Sequence, residues 1–366
     1  MAEAQAQEKY SCPACGAEAV WNPAKQALVC AYCSAVSPAT LDVKPGSPDA
    51  IVEHDLVTAL RGIPDSSRGW QAKKTSVRCQ SCQAISVFDE NRVGQRCDFC
   101  GSSSLVPYDQ IKESFRPESL LPIKVTEVAV REKIREWYGT RWFAPGKLGT
   151  KAMTDQVKGI YIPYWTFDAR VFAHWEAESG YFYYVTEEIR DAQGNRQTVQ
   201  VQKIRWEHSA GDLEHFFDDE MVCASKGVDP DLIPKLQWPT KELVPYDAGF
   251  LAGWIVERYQ LDLVAGAERS REIMASKLRS LCDSEVPGDT HRNLEIEPDW
   301  SGQTFKHILV PIWLLTYHFG GRKYQVLVDG YRGQITGKHP RSFWKIFFLV
   351  LAILMLLGLI LYFTES

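Results

Sequence analysis

Apolar positions recur along this chain with two different periods, which alternate segment by segment. Val128, Val130, Ile134 and Trp137 fall near i, i+3 or i+4, which places them on one face of a helix. "LVAGAERSREIMASKLRSLC" (263–282) reads as a second helix. Ile51, Val52, Leu56, Ala59 and Leu60 suggest a short amphipathic helix, with His54 on its solvated side. Elsewhere the period is two. Val171, Ala173, Trp175 and Ala177 alternate with mostly polar neighbours, and so does "QTVQVQKIRW" (197–206), as in half-buried strands. "ILVPIWLLTYHFGGRKYQVLVDGYRGQITG" (308–337) reads as a meander that turns at Gly320-Gly321 and Asp329-Gly330. "YIPYW" (161–165) and "LVPIW" (309–313) share a proline-centred pattern. They are either a duplicated β unit or two edge strands opened by proline.

One segment has no period. Ile346–Phe363 is an unbroken apolar run of 18 residues, extended by Phe343 and Trp344 across Lys345. A helix of roughly 20 residues crosses ~30 Å of hydrocarbon. Aromatic residues stand at both ends, so 342–363 is expected to be a transmembrane tail anchor in a lipid bilayer. Lys338, Arg341 and Lys345 precede it, and no Lys or Arg follows it. Positive flanks face the cytoplasm, which predicts a single-pass inner (cytoplasmic) membrane protein with its N-terminal bulk in the cytoplasm. "MAEAQAQEKY" has no apolar h-region, so no cleaved signal peptide is expected.

The expected fold class is α+β. Two N-terminal cysteine modules (9–38 and 74–108) are joined by a linker with a short helix (39–73). A β-rich mixed soluble body (109–341) and the C-terminal transmembrane helix (342–363) follow. The 366 residues allow two or more domains, and a net charge of −5 exerts no global pull on nucleic acid.

The cysteines carry the clearest chemistry. Eight of ten lie in C-x-x-C pairs: Cys12 with Cys15, Cys30 with Cys33, Cys79 with Cys82, and Cys97 with Cys100. Fourteen residues separate the pairs in each module (16–29 and 83–96), so the module is repeated. Two intervening residues let a tight turn aim two thiolates at one ion, and the longer loop brings a second turn opposite. Gly16 and Gly101 follow second cysteines, where such turns need positive φ. "AISVFDENRVGQRC" reads as the hairpin between the pairs of the second module. Two structural Zn2+ ions are expected, rather than redox dithiols or iron–sulfur clusters. An all-cysteine shell leaves no open position for catalysis. Cys223 and Cys282 stand alone and are expected to be ordinary semi-buried residues.

Neither module is a basic patch. Lys74, Arg78, Arg92 and Arg96 are offset by Asp89, Glu90 and Asp98, and stacking aromatics are sparse (Trp21, Tyr32, Phe88, Phe99). Protein partners are therefore expected rather than nucleic acid. The densest polar stretch, "WEHSAGDLEHFFDDE" (206–220), holds Glu207, His208, Glu214, His215, Asp218, Asp219 and Glu220 without a metalloprotease spacing. "GTRWFAPGKL" lacks the first glycine (Arg141) and the Ser/Thr (Leu148) of a phosphate-binding loop, and no nucleophile elbow or dinucleotide fingerprint occurs. No enzyme activity and no small-molecule substrate are expected.

"CDFCGS", "RWFAP", "GIYIPYWTFDA", "FFDDEMVCAS", "LVPYDAGFLAGW", "TFKHILVPIWLLTY" and "VLVDGYRGQITGKHPRSFWKI" occur in this order. With the terminal helix they resemble a family of bacterial membrane-anchored proteins with an N-terminal TFIIB-type zinc ribbon. Its members are often labelled primosomal protein N′ (replication factor Y), superfamily II helicase-like. The resemblance covers 10–363, with "VDG" for the commoner "VNG" and "VPGD" where "IGGD" is usual. The eight paired cysteines match the family's ribbon positions. The architecture is also similar to ribbon-bearing membrane partners in phage-shock-type envelope-stress systems, which implies a scaffold role. The resulting expectation is an adaptor that recruits protein partners to the cytoplasmic face of the inner membrane, in envelope stress. The alternative is a membrane-tethered nucleic-acid-binding ribbon protein using Arg78, Arg92 and Arg96.

Overall fold

The computed structural model describes residues 10–37, 51–61, 74–82, 84–89, 97, 99, 102, 105–107, 115–145, 157–190 and 196–365. Strand takes 46% of the described residues and helix 25%, so the expected α+β class is corrected to a mostly β molecule. The reason lies in three strands of 33, 28 and 30 residues, far longer than the segments read for them.

The first module forms β1 (Tyr10–Ser11), β2 (Glu18–Asn22), β3 (Ala27–Cys30) and β4 (Val36–Ser37), hydrogen-bonded in that order. β5 (His54–Asp55) leads into α1 (Leu56–Arg61), with the Asp55 carboxylate accepting from Thr58 N at 2.7 Å. The second module contributes β6 (Lys74–Cys79), β7 (Ile85–Asp89) and β8 (Leu105–Pro107), with β6 central. Then come β9 (Ser119–Leu120), α2 (Glu127–Gly139), β10 (Lys158–Arg190), β11 (Arg196–Cys223), β12 (Val244–Pro245), β13 (Ile255–Val256) and α3 (Leu263–Glu285). They are followed by β14 (Thr290–Phe319), β15 (Arg322–Asp329), β16 (Ile335–Gly337) and α4 (Phe343–Glu365). The main sheet runs β11-β10-β14-β15-β16.

The two proline segments lie side by side at the centre of this sheet. Tyr161 pairs with Pro311, and Pro163 with Leu309. Neither proline is on an edge strand, yet neither breaks a ladder. Before Pro163, β10 pairs in parallel with β13 at Ile160 and Tyr161; from Tyr164 onward that side pairs with β11. β14 does the same around Pro311, with β9 at Ile308 and Leu309 and β15 from Ile312. Each missing N–H therefore falls where the neighbouring strand changes.

The equivalence goes further. Ala224 N donates to Pro163 O (3.0 Å), and Gly330 N donates to Pro311 O (2.9 Å). Trp165 Nε1 donates to Leu261 O (2.8 Å), one residue before the α3 cap Asp262. Trp313 Nε1 donates to Val125 O (3.0 Å), one residue before the α2 cap Thr126. The molecule is thus a structural repeat of short strand, helix and long hairpin. Each unit lends its short strand to the other unit's long strand.

Three apolar clusters flank this central pair. One gathers Trp137, Tyr161, Trp313 and Val326, with Trp21 and Leu28 of the first module. Another packs Trp165, Val171, Ala173, Trp175 and Ala177 under Met274, Leu278 and Cys282 of α3. The third joins Ile160, Ile312 and Leu327 to Cys79, Ala84, Cys97 and Phe99 of the second module.

The side chains of α4 are described to 358, and most of its apolar ones are exposed. Among the described residues no helix is long and apolar enough to cross a membrane. The expected transmembrane tail anchor at 342–363 and the single-pass inner-membrane localisation are corrected on that ground. Two flanking cations are held by the protein itself. Lys345 Nζ donates to Trp142 O and Ala144 O (2.9 Å each), and Lys338 pairs with Asp229 (2.8 Å) and Asp231 (2.6 Å).

Trp165→Phe and Trp313→Phe each leave a half-buried carbonyl without its indole donor. Each is expected to lower unfolding stability by about 0.5–1.5 kcal/mol. Chemical denaturation of the two variants checks both the cost and its similarity in the two units.

Candidate metal centres

The four thiol-bearing turns share one backbone pattern. Cys12 N donates to Ala17 O (2.7 Å), Cys30 N to Ala35 O (3.0 Å), Cys79 N to Ala84 O (2.9 Å) and Cys97 N to Ser102 O (2.7 Å). In the first module the turn closes again through Gly16 N to Cys12 O (2.8 Å) and Ser34 N to Cys30 O (3.0 Å). Gly16 (φ 71°) and Ser34 (φ 61°) both take the left-handed conformation this closure needs. Gly101, expected to play the same part, lies outside the described residues.

These turns bring thiols together. Cys12 Sγ lies 3.6 Å from Cys33 Sγ, and Cys15 Sγ lies 3.6 Å from Cys30 Sγ. All four sulfurs lie within 4.8 Å of one another, as do those of Cys79, Cys82 and Cys97. Cys82 and Cys97 are 3.5 Å apart. Both clusters could hold a metal ion. Cys100, the fourth expected ligand of the second, lies outside the described residues, as do Arg92 and Arg96.

The first cluster is electrostatically uneven. N–H groups of Cys33 and Tyr32 draw the Cys30 thiol down to about 6, against its burial. The Ala17 N–H favours the Cys15 thiolate, but contacts with Cys33, Cys30 and Cys12 and desolvation push Cys15 up to about 12. A metal ion bound by crowded thiols of this kind would displace their protons into solvent.

Both modules are docked rather than free. Trp21 is buried, its Nε1 donating to Ile123 O (3.2 Å), its backbone N to Ala252 O (2.9 Å), and its ring 4.6 Å from Phe250. Phe99 is fully buried, with its carbonyl accepting from Thr316 Oγ1 at 2.6 Å. A Cβ at Gly227 would come within 2.4 Å of its ring, so only glycine allows that approach.

The polar stretch at 206–220 does not assemble into a site. It lies along β11, where His208 and His215 are seven positions apart, about 23 Å at ~3.3 Å per residue. His215 and Asp218 instead line a groove beside α3, where Lys277 pairs with Glu220. Cys223 is half-buried and Cys282 fully buried. His54 was expected to be solvated. It is half-buried and lies 2.9 Å from Glu118.

An ionic group buried except at Glu53 has no sequence motif, because its members are scattered from 53 to 306. Lys306 Nζ reaches Glu53 (2.8 Å) and Asp219 (2.6 Å), while Asp168 accepts from Thr304 Oγ1 (2.7 Å) and from Asp219 N (2.6 Å). Asp168 sits at a bulge in both of its ladders, and Asp219 has φ 53°. Its signal was charge inside apolar strands, "TFDA" and "TFKH".

Glu257 is a buried acid outside this group. Desolvation pushes it up to about 8, against hydrogen bonds from Ser225, Gln260 and Gly227 N. The buried His307 is pulled down to about 4 by desolvation.

No family model matches the chain, and no solved structure does. The chain is similar to the uncharacterized protein YdjG of Bacillus subtilis (strain 168), 21% identical over 240 residues, 65% of this chain and 68% of that protein. That likeness carries no activity with it.

Glu257 keeps its proton on folding at pH values where the unfolded chain has lost it. Stability therefore falls as pH rises between about 4.5 and about 8. His307 acts in the opposite sense below pH 6.5 and no longer contributes between 6.5 and 8. There the wild type is expected to lose up to about 1.4 kcal/mol per pH unit relative to Glu257→Gln. Urea denaturation at several pH values measures the difference in slope.

Proposed function

We propose that this chain is a zinc-stabilised scaffold that binds a protein partner through the exposed turn of its first cysteine module. The observation that carries it is a contrast within one turn. Cys30 is buried in the thiol cluster, while Tyr32, two residues on, is 85% exposed. An exposed aromatic on a rigid turn suits an interface anchor, because little side-chain freedom is lost on contact.

Zinc is supported by donor chemistry and spacing. Four thiolates at bonds of about 2.3 Å define a tetrahedron with edges of about 3.8 Å. The sulfur pairs at 3.6 Å fit that closely. Cys12, Cys15, Cys30 and Cys33 would hold one ion; Cys79, Cys82 and Cys97, with Cys100, would hold the other. Bound zinc would fix each pair of turns and so set the angle at which Tyr32 is offered. The reading agrees with the scaffold role implied by the resemblance to TFIIB-type zinc-ribbon proteins.

The test compares full-length wild type, Tyr32→Ala and a Cys12→Ser/Cys15→Ser variant for metal content, thermal stability and recovery of co-purified protein. Two zinc ions per wild-type chain are expected. Tyr32→Ala should keep both ions and its melting temperature while losing the partner about tenfold or more. The cysteine variant should lose one ion and the partner. Undiminished recovery with Tyr32→Ala would refute the scaffold reading, and salt-dependent binding of DNA or RNA by the purified chain would replace it.

A further inference from the structure

Lys306 on β14 and Asp219 on β11 meet over the strand between them, β10. Lys306 Nζ lies 2.6 Å from Asp219 Oδ1, and the two side chains are only 7% and 10% exposed. That oxygen accepts no hydrogen bond among the described residues, so the contact is close but out of line for one. Two more carboxylates complete the group. Glu53 Oε1 is 2.8 Å from the same Nζ, and Glu53, Asp168 and Asp219 have oxygens within 4.8 Å of one another. Three carboxylates thus face one ammonium where little water reaches, and ionised groups are costly there.

The backbone is bent to bring them together. Asp168 stands where both β10 ladders shift register, and Asp219 takes φ 53° on the strand beside it. Conformations of this kind persist only where the surroundings hold them, and they gather at reactive sites. Thr166 supplies a second, separate feature. It pairs with Lys306 in the ladder, lies on the same face of β10 as Asp168, and is fully buried. Its hydroxyl has no hydrogen-bond partner among the described residues. A buried donor without an acceptor, next to a crowded ion pair, marks a place for an oxygen atom.

We propose that Lys306 and Asp219 condense into a side-chain amide that fastens β14 to β11 across β10. Lys306 Nζ attacks Asp219 Cγ: the N–C bond forms, one C–O bond breaks, and that oxygen leaves as water. Both hydrogens of the water come from the ammonium, so atoms and charge balance without another reactant. Glu53 accepts a proton from nitrogen, the carboxyl group of Asp168 donates one to the departing oxygen, and transfer from Glu53 to Asp168 restores both. The Thr166 hydroxyl donates to the oxygen that stays, which turns negative during attack and ends as the amide carbonyl. Burial pushes Asp168 up, as a proton donor needs. Burial pulls Lys306 down, but Asp219 and Glu53 outweigh it, so the reaction starts from the ion pair. Holding the two groups in contact replaces a bimolecular encounter. The proposal does not depend on the cysteine centres.

Intact-mass spectrometry of the purified full chain, denatured and stripped of metal by a chelator, reads the bond directly. The wild type is expected to weigh one water less than its sequence. Lys306→Arg keeps the charge but cannot make this amide, and it should show the full mass. Tryptic digestion should yield 206–226 joined to 293–322, because trypsin does not cleave after an acylated Lys306. Asp168→Asn should lower the linked fraction at least about tenfold, with circular dichroism showing that it stays folded. The wild-type mass decides the matter even where a variant fails to fold. A wild type of full mass, separate peptides 206–226 and 293–306, a link from Lys306 to Glu53, or a folded Asp168→Asn chain as fully linked as the wild type would each overturn the proposal.

Discussion

The antiparallel ladder between β10 and β14 is the interaction on which the rest of the molecule depends. It holds two proline segments against each other at the sheet centre, where proline is ordinarily excluded because it donates no ladder hydrogen bond. Here both prolines stand at the junction between a parallel and an antiparallel neighbour, so no donor is missed. Their carbonyls take up the chain as it leaves each hairpin, at Ala224 and Gly330. Two residues after each proline, a tryptophan fixes the start of a helix. The same arrangement, made twice and crossed over, leaves neither half with a complete sheet of its own.

The cysteine modules are tied to that frame. A hairpin of about 30 residues cannot bury enough apolar surface to stand alone. Each module inserts an aromatic into a cluster built by the ladder, Trp21 in one and Phe99 in the other. The thiol turns set the backbone from which these rings project. A metal held by these thiols would therefore be coupled to docking: what orders the sulfurs also orders the ring, and stability gained at one is shared with the other. The exposed Tyr32 is then carried on a rigid base.

Much of this was legible where the signal is local. The C-x-x-C spacing marked the thiol turns because two residues between cysteines have few ways to converge two sulfurs. The apolar stripe of α2 was visible in its periodicity, and α3 as a helical segment at 263–282. The shared proline pattern was visible as a pattern, but its pairing was not, since nothing local says that 161–165 lies against 309–313. Non-local facts were lost in other ways. The polar stretch at 206–220 looked like a cluster in sequence, but an extended strand spreads His208 and His215 along its length. Lys306 and Glu53 showed the converse, 253 residues apart in sequence and in direct contact. The lengths of β10 and β11 were underestimated because the alternating apolar signal covers only 171–177 of one and 197–206 of the other.

The coupling of thiol centres to the central frame can be measured directly by amide hydrogen exchange before and after metal is removed with a chelator. Loss of metal should raise exchange at Trp21, whose N–H bonds to Ala252, and at Arg258, whose N–H bonds to Ile85 of the second module. The ladder amides of β10 and β14 should stay protected. Unchanged exchange at Trp21 and Arg258 in chain shown to be metal-free would contradict the account.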